Sequence, residues 1–278
     1  MAVKAEVINS YKRIDEEYID SLLKKEIDRN NKKIVVLDDD PTGVQTVHDI
    51  SVYTNWEKDS IRQGFEEDNN LFYVLTNSRG FTQEETTRAH QEIGAVVDEV
   101  AKETGKEYIF ISRSDSTLRG HYPLETQLLK SCYEQNTGKT IDGEILCPFF
   151  KEGGRFTIEN VHYVKYGDDL VPANETEFAK DKTFGYTAMT MPEYVEEKTK
   201  GAYKAADVTC ISLEDIHNMD IDRIEAQLME VKDFNKIIVN AVDYVDVKVF
   251  CVALYRAMAK GKVFMFRTAA AIVKVMGA

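Results

Sequence analysis

The sequence predicts an α/β fold: a mostly parallel sheet flanked by helices, with a loop-rich lid or subdomain inserted late in the chain. Three observations carry the prediction. Apolar strand-like runs begin near Ile34, Leu71, Tyr108 and Glu144, a repeat of about 37 residues that leaves room for one helical crossover per step. Helical periodicity fills the gaps, most clearly at Gln83–Glu103 and Pro123–Gln135. Further strand-like runs occur at Val208–Ser212, Lys236–Ala241 and Lys262–Phe266, so the α/β pattern resumes towards the C-terminus.

Each element has a local reason. Residues 1–30 read as one amphipathic helix, with Ile8, Tyr11, Ile14, Tyr18, Leu22 and Ile27 near helical spacing, packed on the outside of the core or against a second copy of the chain. The run Ile34-Val35-Val36-Leu37 reads as a buried strand. Pro123 suits the first turn of the helix it opens. Thr137-Gly138-Lys139-Thr140 resembles the tail of a phosphate-binding loop, but the required earlier glycine position is Tyr133 and a helix precedes it. It therefore reads as a helix stop and a turn. From Lys151 to about Ala206 the rhythm breaks. There a hairpin-like pair, Arg155–Ile158 and His162–Tyr166, is succeeded by Gly167-Asp168-Asp169, Pro172, Asn174 and Gly185, and long irregular stretches in compact domains are commonly lids or insertions. A helix is expected from Pro192 to Lys200. The resulting division is a helical arm over 1–30 and one domain over 31–278, with 151–206 as a loop-rich lid or insertion within it.

Composition excludes several roles. The chain has 278 residues, 35 Lys plus Arg against 48 Asp plus Glu, and a net charge of −13. No basic stripe offsets that field, which argues against nucleic-acid and anionic-membrane partners. The four cysteines (Cys132, Cys147, Cys210 and Cys251) are scattered and make neither a zinc pattern nor a disulfide framework. The charged opening predicts no signal sequence, and no apolar run approaches the ~20 residues of a membrane span. The expected compartment is the cytoplasm.

Chemistry gathers at the predicted strand ends. The first strand ends in Asp38-Asp39-Asp40-Pro41-Thr42-Gly43, the second in Thr76-Asn77-Ser78-Arg79, the third in Ser112-Arg113-Ser114-Asp115-Ser116-Thr117-Leu118-Arg119, and the last in Phe266-Arg267-Thr268. Ligands of open α/β sheets bind outside the carboxyl ends of the strands. A turn accounts for one aspartate, whereas three in a row repel one another unless cations or hydroxyls compensate. Arginine forks bind carboxylate or phosphate, and carboxylates accept from hydroxyls. Together they describe a small acid with hydroxyls along it. Asp38 and Asp40 are the catalytic candidates. Asp39, Thr42, Asn77, Arg79, Arg113, Asp115, Ser116, Arg119 and Arg267 are the binding candidates. The spacing Asp38-x-Asp40-x-Thr42, with Leu75-Thr76-Asn77, also resembles the first motifs of haloacid-dehalogenase-type phosphatases. Asp38 would then be the nucleophile, Asp40 the acid/base, and Gly167-Asp168-Asp169 a magnesium site. Pro41 between Asp40 and Thr42 departs from that pattern.

A longer match favours another family. Asp38–Asp49 resembles the opening signature of the four-carbon acid sugar kinases, and Ser112–Glu125 resembles a second signature. Pro148-Phe149-Phe150 with Glu152-Gly153-Gly154-Arg155, and Asn174-Glu175-Thr176 with Phe184-Gly185-Tyr186, look like further blocks. Arg267-Thr268-Ala269-Ala270 is similar to the end of the family's N-terminal domain. The resemblance runs from about Lys32 to the C-terminus. It implies an N-terminal domain that binds threonate, erythronate or 3-oxotetronate, and a C-terminal domain that holds ATP and Mg2+ and phosphorylates the terminal hydroxyl. The chain ends where that second domain should begin, so the ATP domain is expected on a separate chain or absent, with neither ATP nor metal held stably by this chain alone. A sugar-acid sensor without catalysis is the remaining alternative.

Overall fold

The computed structural model describes residues 1–41 and 50–277. In chain order the strands are β1 (Val3–Lys4), β2 (Lys33–Asp38), β3 (Val52–Tyr53), β4 (Leu71–Leu75), β5 (Tyr108–Arg113), β6 (Gly143–Cys147), β7 (Arg155–Ile158), β8 (Val161–Tyr166), β9 (Asp169–Pro172), β10 (Thr209–Ile211), β11 (Asn235–Val239) and β12 (Phe264–Thr268). The helices are α1 (Glu16–Arg29), α2 (Lys58–Glu66), α3 (Gln83–Thr104), α4 (Leu124–Thr137), α5 (Met191–Lys198), α6 (Leu213–His217), α7 (Ile221–Glu230), α8 (Tyr244–Ala259) and α9 (Ala270–Met276). Eight strands form a parallel sheet in the order β10-β11-β6-β12-β5-β2-β4-β3.

Helices cover both faces, as parallel strands require. Apolar residues of α2, α3 and α4 pack with Val35, Leu37, Phe72, Val74 and Phe110 on one face. Those of α1 and α6–α9 pack with Ile34, Val36, Tyr73, Ile109 and Ile111 on the other. Alternation along β2 sets the face to which each carboxylate at its end is directed, because side chains of a strand point to opposite faces in turn. Helix ends obey local chemistry. Thr82 and Glu85 form a capping box at the start of α3, and Gly138 ends α4 with φ +70. Thr137–Thr140 is thus a helix stop, as expected.

One expectation is corrected, and a second gains detail. The N-terminal 30 residues are not one helix. Val3–Lys4 is a strand, Ala5–Ser10 a short 3-10 turn, and α1 starts only at Glu16. Asp15 accepts from the Tyr18 amide and makes a better helix start than anything upstream. The stretch 151–206 is an insertion, more regular than its loop-rich sequence suggests. The predicted hairpin is present, but β7, β8 and β9 join β1 in a four-stranded antiparallel sheet of order β1-β9-β8-β7. Met191–Lys198 then forms α5, capped by Thr190 and Glu193. The alternating Val161, Tyr163 and Leu170 of this smaller sheet pack into the core, which the turn residues between them conceal in sequence.

Candidate functional site at the carboxyl edge of the sheet

The aspartate triplet splits between the two faces of the sheet. Asp38 continues the side of Ile34 and Val36, is fully buried, and accepts from Arg113 Nη1 at 2.9 Å. Strand register places Asp38 beside Arg113 and Arg113 beside Thr268. Burial, only partly offset by Arg113, pushes Asp38 up to about 6. Asp39 points to the other face. There Arg79 forks onto it, with Nη2 to Oδ1 at 2.7 Å and Nε to Oδ2 at 3.4 Å, while Ser114 Oγ donates to Oδ2. Burial raises Asp39 above the usual carboxylate range, with the neighbouring Glu125 charge adding to it. Asp40 sits at the rim, about a quarter exposed, and accepts from Arg79 Nη1 at 2.7 Å.

Behind Asp39 lies a second layer. Arg267 Nη1 donates to Glu125 Oε2 at 2.6 Å and to Ser112 Oγ at 3.1 Å. Ser78 Oγ donates to the other Glu125 oxygen. Burial pushes Glu125 up, but Arg267, His90 and these hydrogen bonds outweigh it and hold the carboxyl below its ordinary value. Gly120 is required here. Its φ is +115, and a Cβ would fall 2.6 Å from Arg267 Nη2 and 2.9 Å from Asp39 Oδ2.

The loop after β5 is held by its carbonyls. Ser116 O accepts from His162 Nε2 at 2.7 Å, Thr117 O from Tyr186 OH at 2.8 Å, and Leu118 O from Tyr194 OH at 2.8 Å. Arg119 O accepts from Arg267 Nη2 at 3.4 Å. These bonds hold Leu118 at φ +71, an unfavourable conformation for a leucine. Within the loop Arg119 Nε donates to Asp115 at 2.6 Å. Burial raises Asp115, but its bonds from Arg119 and Thr117 outweigh this and keep it low.

A family model described as the sugar-binding N-terminal domain matches residues 34–276. The chain belongs to that family. It is the family to which the Asp38–Asp49 and Ser112–Glu125 motifs point, the N-terminal domain of the four-carbon acid sugar kinases. Solved structures share the fold. A Bordetella bronchiseptica protein of the DUF1537 family, a domain-swapped dimer with bound citrate, is 19% identical with a TM-score of 0.60, over 88% of this chain and 55% of its own. A Haemophilus influenzae DUF1537 protein is 15% identical (TM-score 0.59, 88% of this chain and 55% of that one). A Salmonella typhimurium protein described as a putative tRNA synthase is 13% identical (TM-score 0.59, 89% and 55%). The chain thus spans about half the length of each of these proteins. No curated protein sequence matches it significantly.

The sugar-binding domain brings Asp38, Asp39, Asp40, Arg79, Arg113, Asp115, Arg119 and Arg267 to one sheet edge, where each arginine pairs with a carboxylate. Three candidates stand apart. Thr42 lies outside the described residues. Asn77 is exposed, in a left-handed turn with φ +56, and serves the bend rather than the cluster. Ser116 joins the site through its backbone oxygen. Gly167-Asp168-Asp169 is corrected as a magnesium motif. Asp169 is in β9 and pairs with Lys4 at 2.6 Å, while Asp168 O accepts from the Ala5 amide, so both belong to the smaller sheet. Among the described residues no group of three His, Cys, Asp or Glu side chains is placed to hold a metal; Arg79 pairs with both Asp39 and Asp40, and Arg113 with Asp38. No helix among them is long and apolar enough to cross a membrane. Sequence reasoning missed Ser114, Glu125, His162, Tyr186 and Tyr194. Ser114, Glu125 and Tyr186 were inside quoted motifs, whereas His162 and Tyr194 act on backbone carbonyls and leave no spacing signal.

His162 gives a pH test. It is fully buried between Thr157 and Ser116, and burial lowers it to about 4. The unfolded chain takes up this proton below about pH 6.5 and the folded chain only near 4. Stability is therefore lost as pH falls through that window, by about 3 kcal/mol from this group. Asp38 works oppositely: it is raised, so its contribution falls as pH rises from its unfolded value to about 6. Comparison with a variant isolates the histidine. His162→Gln should flatten the acid limb of denaturant-measured stability between pH 6.5 and 4. An unchanged difference between pH 7 and 4.5 would contradict a neutral buried ring.

Proposed function

We propose that this domain holds a four-carbon sugar acid for ATP-dependent phosphorylation of its terminal hydroxyl, ATP and Mg2+ being carried by a second domain. The observation that supports this reading most is the placement of Asp39, Asp40, Arg79, Asp115 and Arg119 together at the carboxyl edge of a parallel sheet. Acceptors for hydroxyls there stand beside forks for an acid group. The family's description as sugar-binding agrees with it, as does the citrate, a hydroxylated acid, in the Bordetella protein. Thr137–Thr140 ends a helix and is not the tail of a phosphate-binding loop.

On the acceptor side the mechanism is positioning plus proton removal. Asp39 and Asp115, fixed by Arg79 and Arg119, orient the substrate hydroxyls. Asp40, the member of the triplet that reaches the rim, takes the proton of the attacking hydroxyl. Asp38 holds Arg113 and shapes the site from beneath. The test is thermal unfolding against D- and L-threonate, D- and L-erythronate and 3-oxotetronate, each with and without Mg-ATP. A ligand at a hundred times its Kd adds about 2.7 kcal/mol, a rise of roughly 5 °C or more in a domain of this size. Stabilisation by one acid, indifferent to Mg-ATP, is expected. Absence of a shift with every acid would overturn the reading.

A further inference from the structure

Four arginines of the site, Arg79, Arg113, Arg119 and Arg267, already have carboxylate partners. Arg155 differs from them. It lies on β7 two residues before Thr157, so the two side chains share a face of the smaller sheet. That face meets the loop after β5, because Thr157 bonds to His162 and His162 to Ser116 O. The Arg155 guanidinium stacks on Phe178, with Cζ 5.4 Å from the ring centroid, and Arg119 stacks on the same ring at 5.1 Å. Arg155 Nη1 donates to Gly153 O, while its buried Nε has no hydrogen-bond partner. Among the described residues Arg155 makes no ion pair. The charges acting on it are those of Asp115, Glu177 and Arg119, with Tyr166 nearby. Glu177 is engaged by Tyr166 OH at 2.9 Å and Asp115 by Arg119.

A half-buried guanidinium without a directly paired carboxylate is costly, and a second cation on the same ring adds repulsion. Burial, with the Arg119 charge next among the opposing influences, lowers its proton affinity. An anion seated between the two forks relieves both. We propose that Arg155 is the principal anion-binding residue of this site, receiving the carboxylate of the bound acid with Arg119 as the second cation on the Phe178 ring. The assignment of the carboxylate rests on the sugar-acid reading above; the anion subsite itself does not. Arg155 is thereby the residue that separates an acid from the corresponding neutral polyol.

The test is calorimetric titration of the wild type, Arg155→Met and Arg155→Lys with the best four-carbon acid, the matching alditol and inorganic phosphate. Arg155→Met should weaken the acid by roughly 10- to 100-fold, the range for a lost charge-assisted hydrogen bond. It should leave the alditol unchanged and abolish phosphate binding. Arg155→Lys, which keeps the charge but not the fork, should fall between. An unchanged acid-to-alditol ratio in Arg155→Met, or equal weakening of both ligands, overturns the proposal. Should Arg155→Met not fold, the acid-to-alditol ratio of Arg155→Lys decides by the same criterion. Phosphate binding that depends on Arg155, with no four-carbon acid bound by the wild type, would uphold the subsite and remove the sugar-acid reading. Failure of the wild type to bind any anion overturns the subsite.

Discussion

Arg267→Ala should lower the melting temperature by roughly 10 °C, the largest stability loss expected from a single change at the site. Arg267 and Glu125 are both buried, at 8% and 2% exposure, and bonded at 2.6 Å. Removing one partner of such a pair costs about 3–5 kcal/mol, because the other charge is left in a low-dielectric interior. Each kcal/mol shifts the melting point by about 2–4 °C in a domain of this size. In the variant, Glu125 retains Ser78, and His90 stands 3.8 Å away, too little to replace a guanidinium. The double variant Arg267→Met with Glu125→Leu should recover much of the loss, since well-packed apolar replacements of buried pairs are often neutral. A melting point within 2 °C of wild type for Arg267→Ala would show the pair to be wet and weak.

The second large effect concerns turnover. Asp40→Asn is expected to reduce phosphoryl transfer by about 100-fold or more once an ATP domain is supplied, the usual contribution of a positioned general base. The melting point should change little, because Asp40 is at the rim and its pairing with Arg79 is shared with Asp39. Sugar-acid affinity should stay within a few-fold. Measuring kcat, binding and unfolding on the same preparation separates the roles. Full turnover in Asp40→Asn would transfer the base to another group, and loss of binding without loss of kcat would make Asp40 a substrate ligand.

Much of this was legible in the sequence because the parallel sheet writes itself as β-branched runs at regular spacing. Ile34–Leu37, Leu71–Leu75 and Tyr108–Ile111 all form strands. Their polar ends had to converge on one edge, since parallel strands share a direction. Hidden from the sequence is which neighbour each charge would choose. That Asp38 takes Arg113 while Asp39 takes Arg79 results from alternation plus strand order, and strand order places β12 between β5 and β6, far from its place in the chain. Lys236 makes the same point. It looks like a polar residue at a strand edge, yet the fold buries it completely against Glu144 at 2.7 Å, with Phe234 and Tyr203 rings over its amine. The smaller sheet was half seen. Its hairpin was visible, but β1 comes from the opposite end of the sequence, and no local pattern announces such a partner.

The carbonyl clamps on the loop after β5 tie the lifetime of the site to a part of the molecule other than the one that supplies its charges. Asp39, Arg79 and Arg267 belong to the large sheet, but Ser116, Thr117 and Leu118 are secured by β8, Tyr186 and α5. If the smaller sheet opens as a cooperative unit, the loop is released while the large sheet stays closed. Amide hydrogen exchange at residues 115–120 would then keep pace with β7–β9 and run ahead of β2, β5 and β12. The competent geometry would persist only for the dwell time of this subunit of structure.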